Sequence, residues 1–370
     1  MLPSNSFDSE FSVSWTHRLR FTDSSFNDGT LDTLISTLSP LKILPVIDCG
    51  VTTNTAFMDD VTNWLANSVF ETSKPRIVEG GEVSKNSMRV VDQVLEDINT
   101  NNLCRKSCVL VIGGGAVLDA VGYAASIAHR GIPIIRMPST TLAQCDSGLG
   151  VKNAVNYFGK KNFVGVFDPP FGVVNDIRLL SSLDNRHWCS GLSEAVKVAL
   201  IKDKTFFEEI EQQSAQLLNR DLTAMGNAIQ KSAILHLEHI TNGGDPFERL
   251  NARPLDFGHW SAHKLEQITN NSLTHGEAVS IGLVIDIKCS VALGLLDNAI
   301  ADRIVNVLQS LNLPTSHPAL SDPALLQGIE EFRQHLGGEL TLLMLKGIAD
   351  PVDVHALDFK LVKQVFNELL

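Results

Sequence analysis

Four side chains in the second half of this 370-residue chain are of types that hold a divalent metal: Glu194 within GLSEAVKVALIKD, and His259, His263 and His275 within DFGHWSAHKLE and LTHGEAVSIG. One carboxylate with two imidazoles is a standard ligand set for a catalytic ion that keeps a position open for substrate. Each residue alone has a plainer reading. Glu194 with Lys197 one turn later makes an i,i+3 helix ion pair, and a single buried histidine is ordinarily a hydrogen-bonded core residue. Three histidines within 17 residues, in a chain that holds only 11, weaken that reading. His259 and His263 share the i,i+4 spacing of the HExxH zinc pair, but Trp-Ser-Ala stands between them without a glutamate, which argues against a metalloprotease.

Between 144 and 170 the chain reads QCDSGLGVKNAVNYFGKKNFVGVFDPP. Lys152, Lys161 and Asn162 stand there among small and apolar residues, not in a charged run, a setting that favours an anion site over ordinary surface solvation. Gly113-Gly114-Gly115 follows the strand-like CVLVIG and precedes a helical pattern, so bare N–H groups and a helix N-terminus can face a pyrophosphate. The triplet lacks GxGxxG spacing and could equally be a tight strand-to-helix turn. Asp48 ends an apolar run, the position from which an acid reaches a ribose hydroxyl in doubly wound folds, with an Asx-turn as the alternative. The hydroxyls of Pro138-Ser139-Thr140-Thr141-Leu142 can bind a nucleotide or cap the next helix.

These residues need a sheet and helices to hold them. Phe11, Val13, Trp15, His17, Leu19 and Phe21 alternate with polar residues, which predicts a half-buried strand. Runs at 41–48, 108–113 and 132–138 then alternate with helical patterns at 85–98 and 116–129, the rhythm of a parallel sheet covered by helices. From about 185 long helical periodicities dominate (191–219, 221–240, 259–269, 275–294, 299–311), and convincing strands nearly disappear. The expected architecture is therefore a Rossmann-like α/β domain over residues 1–180 and an all-α domain over 181–370. The segment 241–254, with Gly243-Gly244-Asp245-Pro246, reads as an irregular insert.

Composition agrees with two soluble domains, at 44% apolar and 19% charged residues. A net charge of −12 and a pI near 5.3 would repel a polyphosphate backbone, so nucleic acid is excluded as the expected partner. The apolar stretch Ala278 to Leu296 contains Asp286 and Lys288, which fits a core helix better than a membrane span. The start MLPSNSFDSE has neither the basic nor the apolar region of a secretory signal, and the six cysteines are scattered without CxxC modules. Both features predict a cytoplasmic protein with reduced thiols.

In order, GGGAVLDAVGYAASIAHRGIPIIRMPSTTLAQCDSGLGVKNAVN, GKKNFVGVFDPP, SGLSEAVKVALIKD, RPLDFGHWSAHKLE and LTHGEAVSIG resemble the 3-dehydroquinate synthase superfamily, the sugar phosphate cyclases, over residues 41 to 294. The resemblance implies an NAD-binding α/β domain, a helical domain, a Zn²⁺ or Co²⁺ ion in the cleft and a homodimer. It implies Glu194, His259 and His275 as metal ligands. It assigns Asp48, Glu82, Lys85, Gly114, Gly115, Asp119, Thr140, Thr141, Leu142 and Ser182 to NAD. Asp146, Lys152, Lys161, Asn162, Lys197, Arg253, Asp256 and His263 would meet a sugar phosphate, with Arg130 reaching across the dimer interface. The implied chemistry is oxidation of a ring alcohol, phosphate elimination, re-reduction and an intramolecular aldol closure. In it, cations surround the leaving phosphate, and Lys152, Lys197, His263 and Asp146 are the catalytic candidates.

The chain departs from that pattern in places that bear on substrate. Asn153 and Asp256 stand where 3-dehydroquinate synthases have Thr and Asn, and the lysine expected before the irregular insert has no clear equivalent, with Glu238 nearest. A carboxylate at 256 would repel the carboxylate of a heptulosonate and accept bonds from hydroxyls. ExxxARPLDFGH and EEFRQHLGGELTLLML look more like cyclases of uncarboxylated sugars, such as 2-epi-5-epi-valiolone synthase, and like the ebo-type branch, with Arg333 or His335 as further phosphate contacts. A 3-dehydroquinate synthase proper and a metal-dependent polyol or alcohol dehydrogenase remain as alternatives. The dehydrogenases share the two-domain plan but lack the GKKN block.

Overall fold

The computed structural model describes residues 7–158, 160–243 and 254–370. Its centre is a six-stranded, all-parallel sheet. The strands in chain order are β1 (Leu19–Thr22), β2 (Ile43–Asp48), β3 (Arg76–Val78), β4 (Cys108–Gly113) and β5 (Ile134–Pro138). An antiparallel pair, β6 (Lys152–Tyr157) and β7 (Lys160–Phe167), comes next, followed by β8 (Gly172–Asp176), which returns to the sheet. The order across the sheet is β1-β8-β5-β4-β2-β3. Strands β2, β4, β5 and β8 are buried at every position, as parallel strands covered on both faces must be.

The strand period of two sorts β4 between two cores. Val109 and Val111 pack with Val90, Val94, Val117 and Val121 from helices Arg89–Thr100 and Gly115–Ile127. Cys108, Leu110 and Ile112 pack on the opposite face with Leu31, Ile35, Phe57 and Val61 from helices Thr30–Leu38 and Thr55–Asn67. The β6–β7 pair lies outside the sheet, tied to it at Asn153, whose Oδ1 accepts from the buried Arg136 guanidinium at 2.6 Å while its amide donates to the Asp168 carbonyl at 3.0 Å. Asn153 is thus a packing residue.

Beyond Asp176 the chain turns helical. The helix His275–Ala292 is buried along almost all its length, as a core helix is, and packs against Leu192–Lys202 and His259–Ile268. Among the described residues the helical half carries one antiparallel hairpin, β9 (Leu342–Gly347) with β10 (Asp350–Val354), which the helical periodicities do not announce.

The N-terminal expectation is corrected: only Leu19–Thr22 forms a strand, and Phe11, Val13 and Trp15 are exposed. Alternation of side chains signals a strand only where a neighbour takes up its backbone, and of the 11–22 segment only residues 19 to 22 are in register with β8. All six cysteines are free. Among the described residues, no helix is long and apolar enough to cross a membrane.

Candidate metal and nucleotide site

Two packing devices bring Glu194, His259 and His275 together. His275 opens its helix behind a capping box, in which Thr274 Oγ1 accepts from the Glu277 N–H and the Glu277 carboxylate accepts from the Thr274 N–H. His259 opens its helix behind Gly258, which holds φ +77 and crosses Gly282 of the His275 helix so closely that a Cβ on either would collide with the other's backbone. Asp286, buried on the same helix, fixes that crossing by accepting from the Gly258 N–H at 2.8 Å and from Trp260 Nε1 at 2.7 Å.

Ligand atoms of Glu194, His259 and His275 all lie within 4.8 Å of one another. Both histidines turn Nε2 toward Glu194 Oε1, at 3.8 and 3.6 Å. Their Nδ1 atoms face outer partners, the Phe257 carbonyl for His259 and Glu266 Oε2 for His275, each at 3.1 Å. That leaves one nitrogen per ring directed at the common centre, the arrangement of metal-ligating imidazoles. Neither Glu194 oxygen receives a hydrogen bond of good geometry although both are buried, and Lys197 Nζ makes an ion pair with Oε2 at 2.5 Å. A buried carboxylate with that unfilled acceptor capacity beside two inward nitrogens fits a divalent cation. The plainer i,i+3 pair is present as well, as one half of the arrangement.

Charge in the cluster is strongly organised. Burial pushes the Glu194 carboxyl up, but Lys197 and His275 outweigh it and hold the group well below the usual range. Burial pushes His275 down, yet the carboxylates on both its ring nitrogens raise it to about 9. Burial, with Lys197 beside it, holds His259 well below its ordinary value. Asp146 joins from the turn Ala143–Ser147, 3.3 Å from Lys197 Nζ and 3.4 Å from His236 Nε2. His263 is exposed, with its ring stacked 5.9 Å from that of His275.

The nucleotide candidates gather at the carboxyl ends of β2, β4 and β5. Asp48 Oδ1 accepts from the Gly50 N–H at 2.8 Å, the Asx-turn, and its other oxygen accepts from the Gly114 N–H at 3.4 Å. Gly114 and Gly115 start the helix after β4, and a Cβ at Gly115 would meet the Ser147 hydroxyl. Lys85 Nζ donates to Asp119 Oδ2 and Asn162 Oδ1, each at 2.5 Å, and Glu82 accepts from Asn156. Thr140 Oγ1 caps the Ala143 N–H. The Thr141 and Ser147 hydroxyls are buried without a partner beside the glycine turn, which fits a polar ligand lying there. Gly191 lets the start of the Glu194 helix rest on the Thr141–Leu142 backbone.

Other candidates are placed differently. Ser182 is exposed beyond β8. Arg130 is exposed at a left-handed turn, and Lys152 is exposed at the start of β6. Lys161 is bound to Glu266 at 2.5 Å. Asp256 is half-buried and lines a cavity of about 230 Å³ with Trp260, Asp286, Phe332, Leu342 and Val352, none of them a member of the Glu194 cluster. Arg333 is occupied by Glu330 and the Gly338 carbonyl. Arg253 lies outside the described residues. Glu238 is exposed, and His236, two residues earlier on the same helix, occupies the site. Sequence reasoning also missed Glu266, although its i,i+3 spacing from His263 was a usable sign.

A parallel α/β half with a glycine-rich turn, joined to a helical half holding a converging Glu-His-His set, defines the class of two-part, nucleotide- and metal-binding enzyme folds. Residues 76–190 match the family model described as 3-dehydroquinate synthase N-terminal, and residues 191–333 match 3-dehydroquinate synthase C-terminal. The 2-epi-valiolone synthase of Actinosynnema mirum is 37% identical over 240 residues, which are 65% of this chain and 62% of that relative's length. The 3-dehydroquinate synthase of Halorhodospira halophila is 33% identical over 72% of this chain and 75% of its own. The structure of ValA, a 2-epi-5-epi-valiolone synthase from Streptomyces hygroscopicus subsp. jinggangensis 5008 with NAD+ and Zn2+ bound, superposes with TM-score 0.88 at 27% identity, covering 98% of this chain and 99% of that one. The chain belongs to the 3-dehydroquinate synthase family of sugar phosphate cyclases.

Proposed function

We propose that this enzyme converts an uncarboxylated heptulose or hexose phosphate into a cyclitol ketone, using NAD and a divalent metal, Zn²⁺ or Co²⁺. Glu194, His259 and His275 hold the metal. Asp48, Glu82, Lys85, Gly114, Gly115, Asp119, Thr140, Thr141 and Leu142 hold the nucleotide. Residues to about 180 act as the nucleotide-binding domain, and 181–370 supply the metal ligands. The observation that carries the reading is the convergence of Glu194 Oε1 with the Nε2 atoms of both histidines.

When bound, the pair supplies reversible hydride acceptance and Lewis-acid polarisation of a ring alcohol. The chain's own residues do the rest. Lys197, between two carboxylates, orients a ring hydroxyl and keeps Glu194 ionised. Asp146 and His236 form a second polar wall at which a proton can be held. His263, open to solvent beside His275, hands protons to and from the reacting carbons. Lys152 and Asn162, with Arg130 of a second subunit, surround the phosphate.

The homodimer is supported by the outward placement of Arg130 and by the exposed aromatic cluster Tyr157, Phe158 and Phe163 on the β6–β7 pair. A cytoplasmic location fits the six free cysteines.

The substrate reading is supported by the likeness to the 2-epi-valiolone synthase of Actinosynnema mirum and to ValA, a 2-epi-5-epi-valiolone synthase. Purified enzyme offered 3-deoxy-arabino-heptulosonate 7-phosphate, sedoheptulose 7-phosphate and glucose 6-phosphate should release phosphate from one of the latter two without net NADH. Efficient 3-dehydroquinate formation overturns the substrate reading, and net NADH accumulation overturns the cyclase reading.

A further inference from the structure

Glu266 belongs to no part of the function described so far, yet it is a buried carboxylate held beside the site. Its side chain is 4% exposed and has two partners from opposite halves of the molecule. Oε2 lies 3.1 Å from His275 Nδ1, and Oε1 accepts from Lys161 Nζ at 2.5 Å. Lys161 stands on β7, and the next residue, Asn162, accepts from Lys85, which also holds Asp119. An unbroken polar chain therefore runs from the nucleotide-side Asp119 through Lys85, Asn162 and the β7 backbone to Lys161, Glu266 and His275.

We propose that Glu266 is a positioning residue that aims His275 at the metal, and that Lys161 holds Glu266 in place for that task. The inference rests on the reading of Glu194, His259 and His275 as metal ligands. A carboxylate behind a ligating imidazole fixes the tautomer and ring orientation and raises the basicity of the inward nitrogen. His259 has only a backbone carbonyl in that position, so the two imidazoles are unequal ligands. Lys161 stops the Glu266 carboxylate from swinging away and neutralises the charge that His275 alone would leave buried with it. The β6–β7 pair thereby acts on a metal ligand through Glu266.

The test is a zinc competition titration against a chromophoric chelator on dialysed full-length protein, with the visible d–d spectrum of the Co²⁺-loaded form as a second readout. Glu266→Gln should weaken zinc binding by about 10–100-fold and shift the cobalt bands. Lys161→Met should weaken zinc binding in the same direction by a smaller factor, although Lys161 is no ligand. It leaves the Glu266 and His275 side chains intact and frees the carboxylate to turn away, so weakened zinc binding in it supports the positioning role should Glu266→Gln fail to fold. Wild-type zinc affinity and an unchanged cobalt spectrum in Glu266→Gln overturn the positioning role. Wild-type affinity in Lys161→Met overturns the part given to the β7 lysine. A wild-type protein that binds no zinc overturns the metal reading itself.

Discussion

Lys197 Nζ lies 2.5 Å from Glu194 Oε2, one helical turn away, and this contact leaves Oε1 facing the two histidines. The ammonium is shared with Asp146 at 3.3 Å, so one buried cation balances two carboxylates. Lys197→Met removes the balance. In metal-free protein it should cost about 3–5 kcal/mol, the usual effect of orphaning a buried charge. Urea unfolding checks this, and saturating zinc should recover part of the loss by neutralising Glu194.

Glu194→Gln keeps the shape of the site and removes the anionic ligand. Zinc should be lost on gel filtration and phosphate release should cease, while far-UV circular dichroism stays that of the wild type. Retention of stoichiometric zinc would show that the ion lies elsewhere.

Gly191→Ala tests the seam between the halves. The added Cβ meets the Thr141–Leu142 backbone, so the Glu194 helix must move away from the nucleotide turn. Overpacking of this kind costs about 1–3 kcal/mol. A lower Tm together with weaker NAD+ binding by titration is expected. A lower Tm with wild-type NAD+ affinity would separate the seam from the nucleotide site.

Acid stability should depend on His17. Its Nε2 faces the Leu149 carbonyl at 2.8 Å and its Nδ1 is buried without a partner, so the folded protein has no acceptor for a second N–H. Burial lowers its pKa from 6.5. The unfolded chain therefore takes up the proton first, and stability present above pH 6.5 is lost as pH falls toward the folded value. The slope from this one group is at most about 1.4 kcal/mol per pH unit. His17→Gln should flatten it in denaturant unfolding followed from pH 7 to pH 5.

Asp256→Asn should raise kcat/KM for a carboxylated heptulosonate phosphate relative to an uncarboxylated sugar phosphate. Removing a repulsive charge from a partly screened site changes that ratio by roughly tenfold. An unchanged ratio would relocate specificity to another wall, with His236 the next residue to vary.

Much of the site was readable because its parts are local. CVLVI followed by three glycines can only be a buried strand running into a tight turn, and the structure has β4 and its helix there. The second half's helices follow from its 3.6-residue periodicity, and the β9–β10 hairpin escaped because its strands pair only with each other. The N-terminal alternation misled, since polar alternation does not provide a partner strand. His236 could not be read: the side of the helix Leu222–Asn242 that faces Asp146 is set by how that helix packs.

By itself the sequence determined the types and order of the chemistry: a glycine turn, a lysine-bearing segment, Glu194 and then His259 and His275. Residue types, turn glycines and helix caps act over a few neighbouring positions, so they survive without coordinates. Only the tertiary structure decided that Gly258 and Gly282 bring the two histidine helices into contact. It alone also decided that Lys161 faces Glu266 across 105 positions of chain. Those relations depend on which helix faces meet, and packing of the whole buried core sets that.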